Sequence, residues 1–357
     1  MKKAIIIFWY LSSVQVILAQ RGILSVQAGQ GFVLKHSERM GVLAQSRPYS
    51  FEMSFARQAD GSKIWHKPFR YPQTGITAGF MDFRNPILGQ VFYLFPFAEK
   101  TMLGKQQAQV RFKFGTGLVY VAKPFDVDNN FQNVAISSRF VYLLQGTLSG
   151  NFQVCKNWKI KTGLVFTHFS NASFTQPNAG VNVPSVMLGI NYQPDFQNYI
   201  QLPDTFSRMF SKRITFNILG VFTVQEIGLP DGKKYWGANL ISYIGKPVSY
   251  KSALVAGIDF FVNSAQKQLV EDNKISGSKK PDFKQAGITF GHELLMSRLS
   301  LLTQLGVYVY APYSNAQAVY QRYGLKYKTG RRTNIGIFLK SHYGTAEYVE
   351  WGAGFNL

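Results

Sequence analysis

Apolar and polar residues alternate through most of the chain, in short runs punctuated by Gly, Pro, Asn and Asp. Alternation with period two is a strand signal, because successive strand side chains point to opposite faces. The first run covers residues 23–33. Tyr49, Phe51, Met53 and Phe55 then alternate with Ser50, Glu52 and Ser54, and further runs follow at 74–83, 90–97, 107–121, 134–148, from 159 onward, and at 185–192. The second half repeats the style at 213–225, 236–244, 254–262, 285–296, 299–310 and 333–342. The final run is the cleanest: Val349, Trp351, Ala353, Phe355 and Leu357 alternate with Tyr348, Glu350, Gly352, Gly354 and Asn356. Little reads as helix. Residues 195–208 and 314–323 each have room for a short helical turn, and 263–282 is a polar, Lys-rich stretch expected to be an exposed loop. Single-chain bacterial barrels favour even strand numbers. The pattern therefore predicts an all-β fold, an antiparallel transmembrane β-barrel of about fourteen strands (twelve as the alternative), closed as one domain over residues 20–357.

One run differs from the others at its end. On one face of the segment from Lys159 stand Ile160, Thr162, Leu164, Phe166, His168 and Ser170; on the other stand Lys159, Lys161, Gly163, Val165, Thr167 and Phe169. The more apolar face would be core in a soluble protein and would face lipid in a membrane barrel. A histidine and a serine at the end of such a face are chemically out of place. Residues two apart on a strand stand roughly 6.6 Å apart along one face. An imidazole leaning along the strand can span that gap and take the proton of a serine nucleophile. A third group is needed to hold the imidazole in the right tautomer. The turn signal Gln176-Pro177-Asn178-Ala179-Gly180 can fold the chain back and bring Asn182 alongside. Backbone or side-chain amides near Asn171 are placed to receive an oxyanion. The bland alternative is a pair of polar residues at a barrel rim.

The amino end adds an address. Met1-Lys2-Lys3 is a basic n-region, residues 4–18 are mostly apolar, and Ala19-Gln20 offers a cleavage point, which together read as a signal peptide over 1–19. Aromatic residues make up 15% and glycines number 32, with a mean hydropathy near zero. That combination suits strands that cross a bilayer with one apolar face. The net charge of +21 implies attraction to polyanions. For an exported chain the first polyanions met are anionic lipid or lipopolysaccharide, and no zinc-finger or RNA-binding signature points to nucleic acid; the alternative is that the basic residues simply solvate loops and the lumen. The one cysteine, Cys155, excludes an internal disulfide and a cysteine zinc site. The five histidines, His36, His66, His168, His292 and His342, show no metal-ligand spacing. Neither a metal nor a cofactor is expected.

The stretch His168-Phe169-Ser170-Asn171-Ala172, followed by Gln176-Pro177-Asn178-Ala179-Gly180-Val181-Asn182, resembles the active-site segment of the lipid A 3-O-deacylase family of outer-membrane barrels. Phe125-Asp126, Asn130 and Asn133-Val134-Ala135-Ile136-Ser137-Ser138 are similar to the family's preceding strand pair, and the resemblance runs over about 90–192. It implies an esterase that removes an ester-linked acyl chain from lipid A at the lipid-facing wall, with His168 as general base and Ser170 as nucleophile. It also implies lipopolysaccharide and outer-membrane lipid as partners and, with the apolar final strand, the barrel-assembly machinery. The chain departs from the family in three ways. Asn182 stands where the characterised enzymes have glutamate. Ser173 stands where a glycine is expected. The family's barrel has eight strands, and this chain is more than twice that length. Either Asn182 suffices as orienter, or Glu293, Glu347 or Glu350 takes the role, or activity is weak. The rivals are a non-enzymatic barrel (a porin or surface assembly protein), marked by a wide charged lumen, an inactive relative of the deacylase, and a soluble periplasmic β-sandwich.

Overall fold

The computed structural model describes residues 22–105, 107–193, 213–228, 232–272, 281–313 and 318–357. The signal peptide expected over 1–19 and the helical turn expected over 195–208 lie outside these residues.

Strand patterning is realised nearly everywhere it was expected, but closure happens twice. The first eight strands are β1 (Gly22–Gly31), β2 (Tyr49–Gln58), β3 (Gln73–Asp82), β4 (Gln90–Lys105), β5 (Ala108–Val121), β6 (Phe140–Cys155), β7 (Trp158–Ser170) and β8 (Val181–Tyr192). Each pairs antiparallel with the next, and β8 returns to β1 in the register Leu24↔Tyr192 to Gly31↔Ser185. A second closed barrel follows: β9 (Thr215–Glu226), β10 (Lys234–Ser249), β11 (Ser252–Asn263), β12 (Gln285–Met296), β13 (Leu299–Tyr310), β14 (Val319–Lys328), β15 (Thr333–His342) and β16 (Thr345–Asn356). There β16 meets β9, from Glu350↔Thr223 to Asn356↔Asn217. The single barrel of about fourteen strands over residues 20–357 is thus corrected to two closed eight-stranded barrels. Alternation along a strand dictates which face is apolar. It says nothing about which distant strand supplies the last row of hydrogen bonds, and that choice closes a barrel. By contacts the chain divides into two units, residues 1–171 with 179–202, and residues 172–178 with 203–357.

Three local expectations are corrected as well. Residues 134–139 belong to a loop and β6 begins at Phe140, because the main chain of 134 and 135 is drawn aside to bond Ala179 and Gly180. The polar stretch after β11 starts with a helix, α1 (Ser264–Asp272), whose first turn is capped by Asn263 Oδ1 accepting from Ala265 N at 2.8 Å. Of the helical turn expected over 314–323, residues 319–323 are strand. Arg322 and Lys326 on the inward face of β14 had disguised its alternation.

Both barrels are inside out relative to a soluble protein. In the first, Phe51, Met53, Leu94, Phe112, Leu164 and Leu188 stand exposed on the outer wall, and Glu52, Thr77, Lys113, Gln145 and Lys161 are buried inside. Inside, Glu52 accepts from Gln27 Nε2 at 2.6 Å, Tyr93 Oη at 3.0 Å and Gln145 Nε2 at 2.7 Å. Lys161 Nζ lies 2.9 Å from Glu99 Oε1. In the second barrel Arg322 bridges Asp259 Oδ2 (2.5 Å) and Glu350 Oε2 (2.8 Å), and Lys326 Nζ lies 2.8 Å from Glu293 Oε1. Eight strands enclose only enough room for side chains, so each interior is a packed polar core and not the wide lumen of a porin. Outward apolar rows over inward polar ones are the arrangement of a membrane-spanning barrel. Among the described residues no helix is long and apolar enough to cross a membrane.

Candidate active site

The β7–β8 hairpin builds the site. Its register sets His168 directly opposite Asn182 and Phe169 opposite Val181. On the other flank β6 places Leu144 beside His168 and Tyr142 beside Ser170. Directly opposed residues share a face, with side chains within reach of each other. His168 lies on the outward row of β7 with the exposed Trp158, Ile160, Leu164 and Phe166. Ser170 has the same parity and is largely covered, at 7% exposure. Between them Phe169 points inward, fully buried, its ring 6.1 Å from Phe83 and 6.2 Å from Tyr93. That aromatic anchor pins the end of β7 and holds its neighbours outward.

His168 Nδ1 and Asn182 Oδ1 are 2.6 Å apart. An amide oxygen can only accept, so the hydrogen sits on Nδ1. The opposite nitrogen, Nε2, keeps its lone pair and can take a proton. The ring is packed from below by Gly180, whose φ is +74°. A Cβ at Gly180 would stand 3.0 Å from His168 Cε1 and 3.2 Å from Phe169 O. Gly180→Ala therefore combines a left-handed backbone, costing roughly 1–2 kcal/mol for a residue with a side chain, with a push against the imidazole. If the site is hydrolytic, kcat should fall by about a hundredfold, the usual cost of a displacement near 1 Å at a reacting group. Gel mobility of the folded barrel should be unchanged. Retained kcat would show that the ring's position is immaterial.

The loop over residues 122–139 supports this turn. Ala179 N donates to Val134 O (3.2 Å) and Gly180 N to Ala135 O (2.9 Å), and Ala135 and Ile136 are buried. Asn130 Nδ2 donates to Ile87 O (3.0 Å) and Pro124 O (2.9 Å), and Asn133 Nδ2 to Lys123 O (2.7 Å). The backbone N–H and side-chain amide of Asn129, with the Asp128 N–H, hold the Asp126 carboxyl below the usual carboxylate range. The residues expected to form a preceding strand pair are thus a cross-braced loop. Its function in the fold is to shape the hairpin turn.

Asn171 is buried, and its Nδ2 donates to Ser137 Oγ (3.0 Å) and Ser138 Oγ (3.1 Å). Both side-chain hydrogens are engaged there. Ala172 and Ser173 follow with φ of +52° and +65°. Ser173 therefore adopts the left-handed conformation for which a glycine is the natural occupant. Residues 172–178 group with the second unit, where Gln176 N donates to Glu226 Oε2 at 2.8 Å and Glu226 N to Ser173 O at 3.1 Å.

The alternative carboxylates are committed within the second barrel. Glu293 is held by Lys326 and by Ser300 Oγ at 2.6 Å, Glu347 by Lys340 at 2.6 Å, and Glu350 by Arg322. His342 Nδ1 lies 3.4 Å from Glu347 Oε2. The partner actually at His168 is Asn182. Among the described residues no group of three or more His, Cys, Asp or Glu is arranged to hold a metal ion.

One residue at the site was not anticipated from the sequence. The chain beyond β1 keeps pairing with β8, with Phe32 N donating to Pro184 O (3.2 Å) and Leu34 N to Asn182 O (2.9 Å). This carries His36 to Asn182, where its Nδ1 stands 3.3 Å from Asn182 Nδ2 and its Nε2 2.9 Å from Ala179 O. No local motif links positions so far apart; only the β1–β8 closure does.

Residues 49–191 match the family model described as lipid A 3-O-deacylase (PagL), and residues 212–357 match the one described as acyloxyacyl hydrolase, C-terminal domain. No curated protein matches the chain by sequence. Among solved structures, the outer membrane enzyme PagL is similar at 16% identity, over 46% of this chain and 97% of that one, with a TM-score of 0.34. Neisserial surface protein A is similar at 9% identity over 48% and 96%, TM-score 0.32. Omp33 of Acinetobacter baumannii is similar at 7% over 95% and 99%, TM-score 0.19. The two matched stretches take in strands β2 to β8 and all of the second barrel, and by them the chain belongs to the lipid A 3-O-deacylase family.

Proposed function

We propose that this protein is an outer-membrane serine esterase that removes an ester-linked acyl chain from lipid A or a related glycolipid. The observation that carries the reading is the 2.6 Å contact of His168 Nδ1 with Asn182 Oδ1 on the outward wall, at the strand end that also bears Ser170. Ser170 Oγ attacks the ester carbonyl as His168 Nε2 takes its proton. The proton then passes to the departing sugar oxygen. Water, activated by the same nitrogen, releases the fatty acid from acyl-Ser170. Backbone N–H groups of the turn beginning at Asn171 receive the oxyanion. Nothing in this sequence of steps calls for a cofactor.

Placement supports the substrate class. The site lies at the end of the first barrel that carries the loops over 32–48, 83–89 and 122–139, while the opposite end has the tight β6–β7 turn at 156–157 and one long loop at 59–72. Long loops face outward in such barrels, so acyl chains of the outer leaflet lie against the wall bearing His168. The surplus of 39 basic over 18 acidic residues favours a phosphorylated glycolipid. A signal peptide over residues 1–19 and the alternating final strand would fit export and delivery by the barrel-assembly machinery.

The direct test is mass spectrometry of lipid A from cells expressing the protein or its Ser170→Ala variant. The reading requires an acyl chain to be lost only with the former. Lipid A identical in both would leave the inactive relative as the better account. A second expectation concerns charge. An amide orients the imidazole but cannot offset the imidazolium that forms in the transition state. Asn182→Glu should therefore raise kcat about tenfold or more, since in the serine-protease triad the reverse change of an orienting carboxylate to an amide lowers kcat by about 10⁴. A lowered kcat in that variant would mean that the site is built for the amide.

A further inference from the structure

An asparagine has a weakness as orienter that a glutamate lacks. Either carboxylate oxygen accepts a hydrogen bond, so a glutamate presents an acceptor to the imidazole whichever way it turns. An amide presents an acceptor one way and a donor the other. With Oδ1 toward His168, Nδ1 carries the hydrogen and Nε2 is free to act as base. With the amide flipped, Nδ2–H donates to His168 Nδ1, the ring hydrogen moves to Nε2, and Ser170 loses its proton acceptor. A chain with asparagine at position 182 needs something to choose between these states.

We propose that His36 is that device: a positioning residue that fixes the Asn182 amide, and through it the tautomer of His168. This rests on the esterase reading only for its kinetic consequence. The hydrogen-bond chain itself is geometric. Ala179 O lies 2.9 Å from His36 Nε2 and can only accept, so Nε2 carries the hydrogen. In the neutral ring Nδ1 is then an acceptor. Leu34 O, 3.2 Å from Nδ1, can supply no hydrogen. Asn182 Nδ2, at 3.3 Å, can. Donation to His36 sends the NH2 end of the amide outward and leaves Oδ1 facing His168 at 2.6 Å. Every polarity in the row is thereby set, from the Ala179 carbonyl through His36 and Asn182 to His168 Nε2. The placement is built in, because Leu34 N–H···O=C Asn182 extends the β1–β8 pairing and delivers His36 over the amide.

The test compares variants in two backgrounds. His36→Leu removes the acceptor, and His36→Asn keeps an acceptor at the Nδ1 position. In the native background His36→Leu should lower kcat for ester hydrolysis roughly tenfold, in line with loss of an orienting partner, with KM within about twofold, and His36→Asn should retain most of kcat. In the Asn182→Glu background, where no orientation has to be chosen, His36→Leu should change kcat less than about twofold. An equal loss in both backgrounds, or none in the native one, overturns the proposal. A readout independent of catalysis is the 15N shift pair of the His168 ring in micelles. Protonated Nδ1 is expected in the wild type and a substantial Nε2–H population in His36→Leu. An unchanged tautomer overturns the proposal even if no substrate is ever hydrolysed. Absence of Ser170-dependent hydrolysis with the tautomer shift intact would count against the esterase reading alone.

Discussion

Ser170→Ala should abolish hydrolysis of the lipid A ester, lowering kcat by at least about a thousandfold. The size follows from how nucleophile, base and orienter act. They work as a unit, so removing one member costs nearly as much as removing all, on the order of a millionfold in the best-studied hydrolases. Oxyanion donors and substrate binding preserve a residual rate of about 10³ over water. The change deletes one oxygen from a side chain that is 7% exposed at the very end of β7, where no ladder bond depends on it. Folding of the barrel and binding of the glycolipid should persist, so the loss should fall on kcat with KM little altered. Purified wild type and variant, assayed for fatty acid release from lipid A in detergent micelles, give the comparison. Comparable release from both would remove Ser170 from the chemistry.

Arg322→Met should be the most damaging single change in the second barrel. The guanidinium is fully buried and binds two carboxylates, Asp259 Oδ2 at 2.5 Å and Glu350 Oε2 at 2.8 Å, both themselves fully buried. Asn239 Nδ2 (2.7 Å) donates to Glu350, and Tyr320 Oη (2.6 Å) to Asp259, so the surrounding dipoles are already arranged for two anions held by one cation. Forming such an ion triad contributes little net stability, because desolvation of the charges offsets their attraction. Breaking it is another matter. With the cation gone two carboxylates face one another in a space that admits little water, and loss of one partner of a buried pair costs about 3–5 kcal/mol. Urea unfolding in micelles, followed by heat-modifiable gel mobility, should register a loss of that order. Arg322→Met combined with Asp259→Asn and Glu350→Gln should recover much of it, since the uncompensated charges are then absent. A loss below about 1 kcal/mol for Arg322→Met alone would mean that the barrel interior is wet enough to solvate the pair.

The face assignments were legible in the alternation itself. Leu164, Phe166 and His168 fall on one row and Lys161, Val165 and Phe169 on the other whatever the tertiary context, since period two is a property of the extended backbone. For the same reason β12, β13 and β15 end where their runs of alternation end. Local turn chemistry was legible too: Gln176 to Gly180 turns the chain, and the turn brings Asn182 opposite His168. Less visible were elements whose inward face is strongly charged. β14 carries Arg322 and Lys326 inside, and a strand that buries cations reads poorly as a strand until the Asp259, Glu350 and Glu293 that neutralise them are known.

By itself, then, the amino-acid order determined that this chain is built of antiparallel strands with a lipid-facing apolar side, and that a histidine and a serine share the end of that side. These follow from backbone geometry within a few residues. Tertiary structure alone decided that the strands close as eight and eight, that residues 122–139 brace the turn as a loop, and that His36 meets Asn182. Each of these depends on which distant strand or segment completes a row of hydrogen bonds. That outcome is set by the competition among all possible pairings of the chain, and no local stretch of residues encodes it.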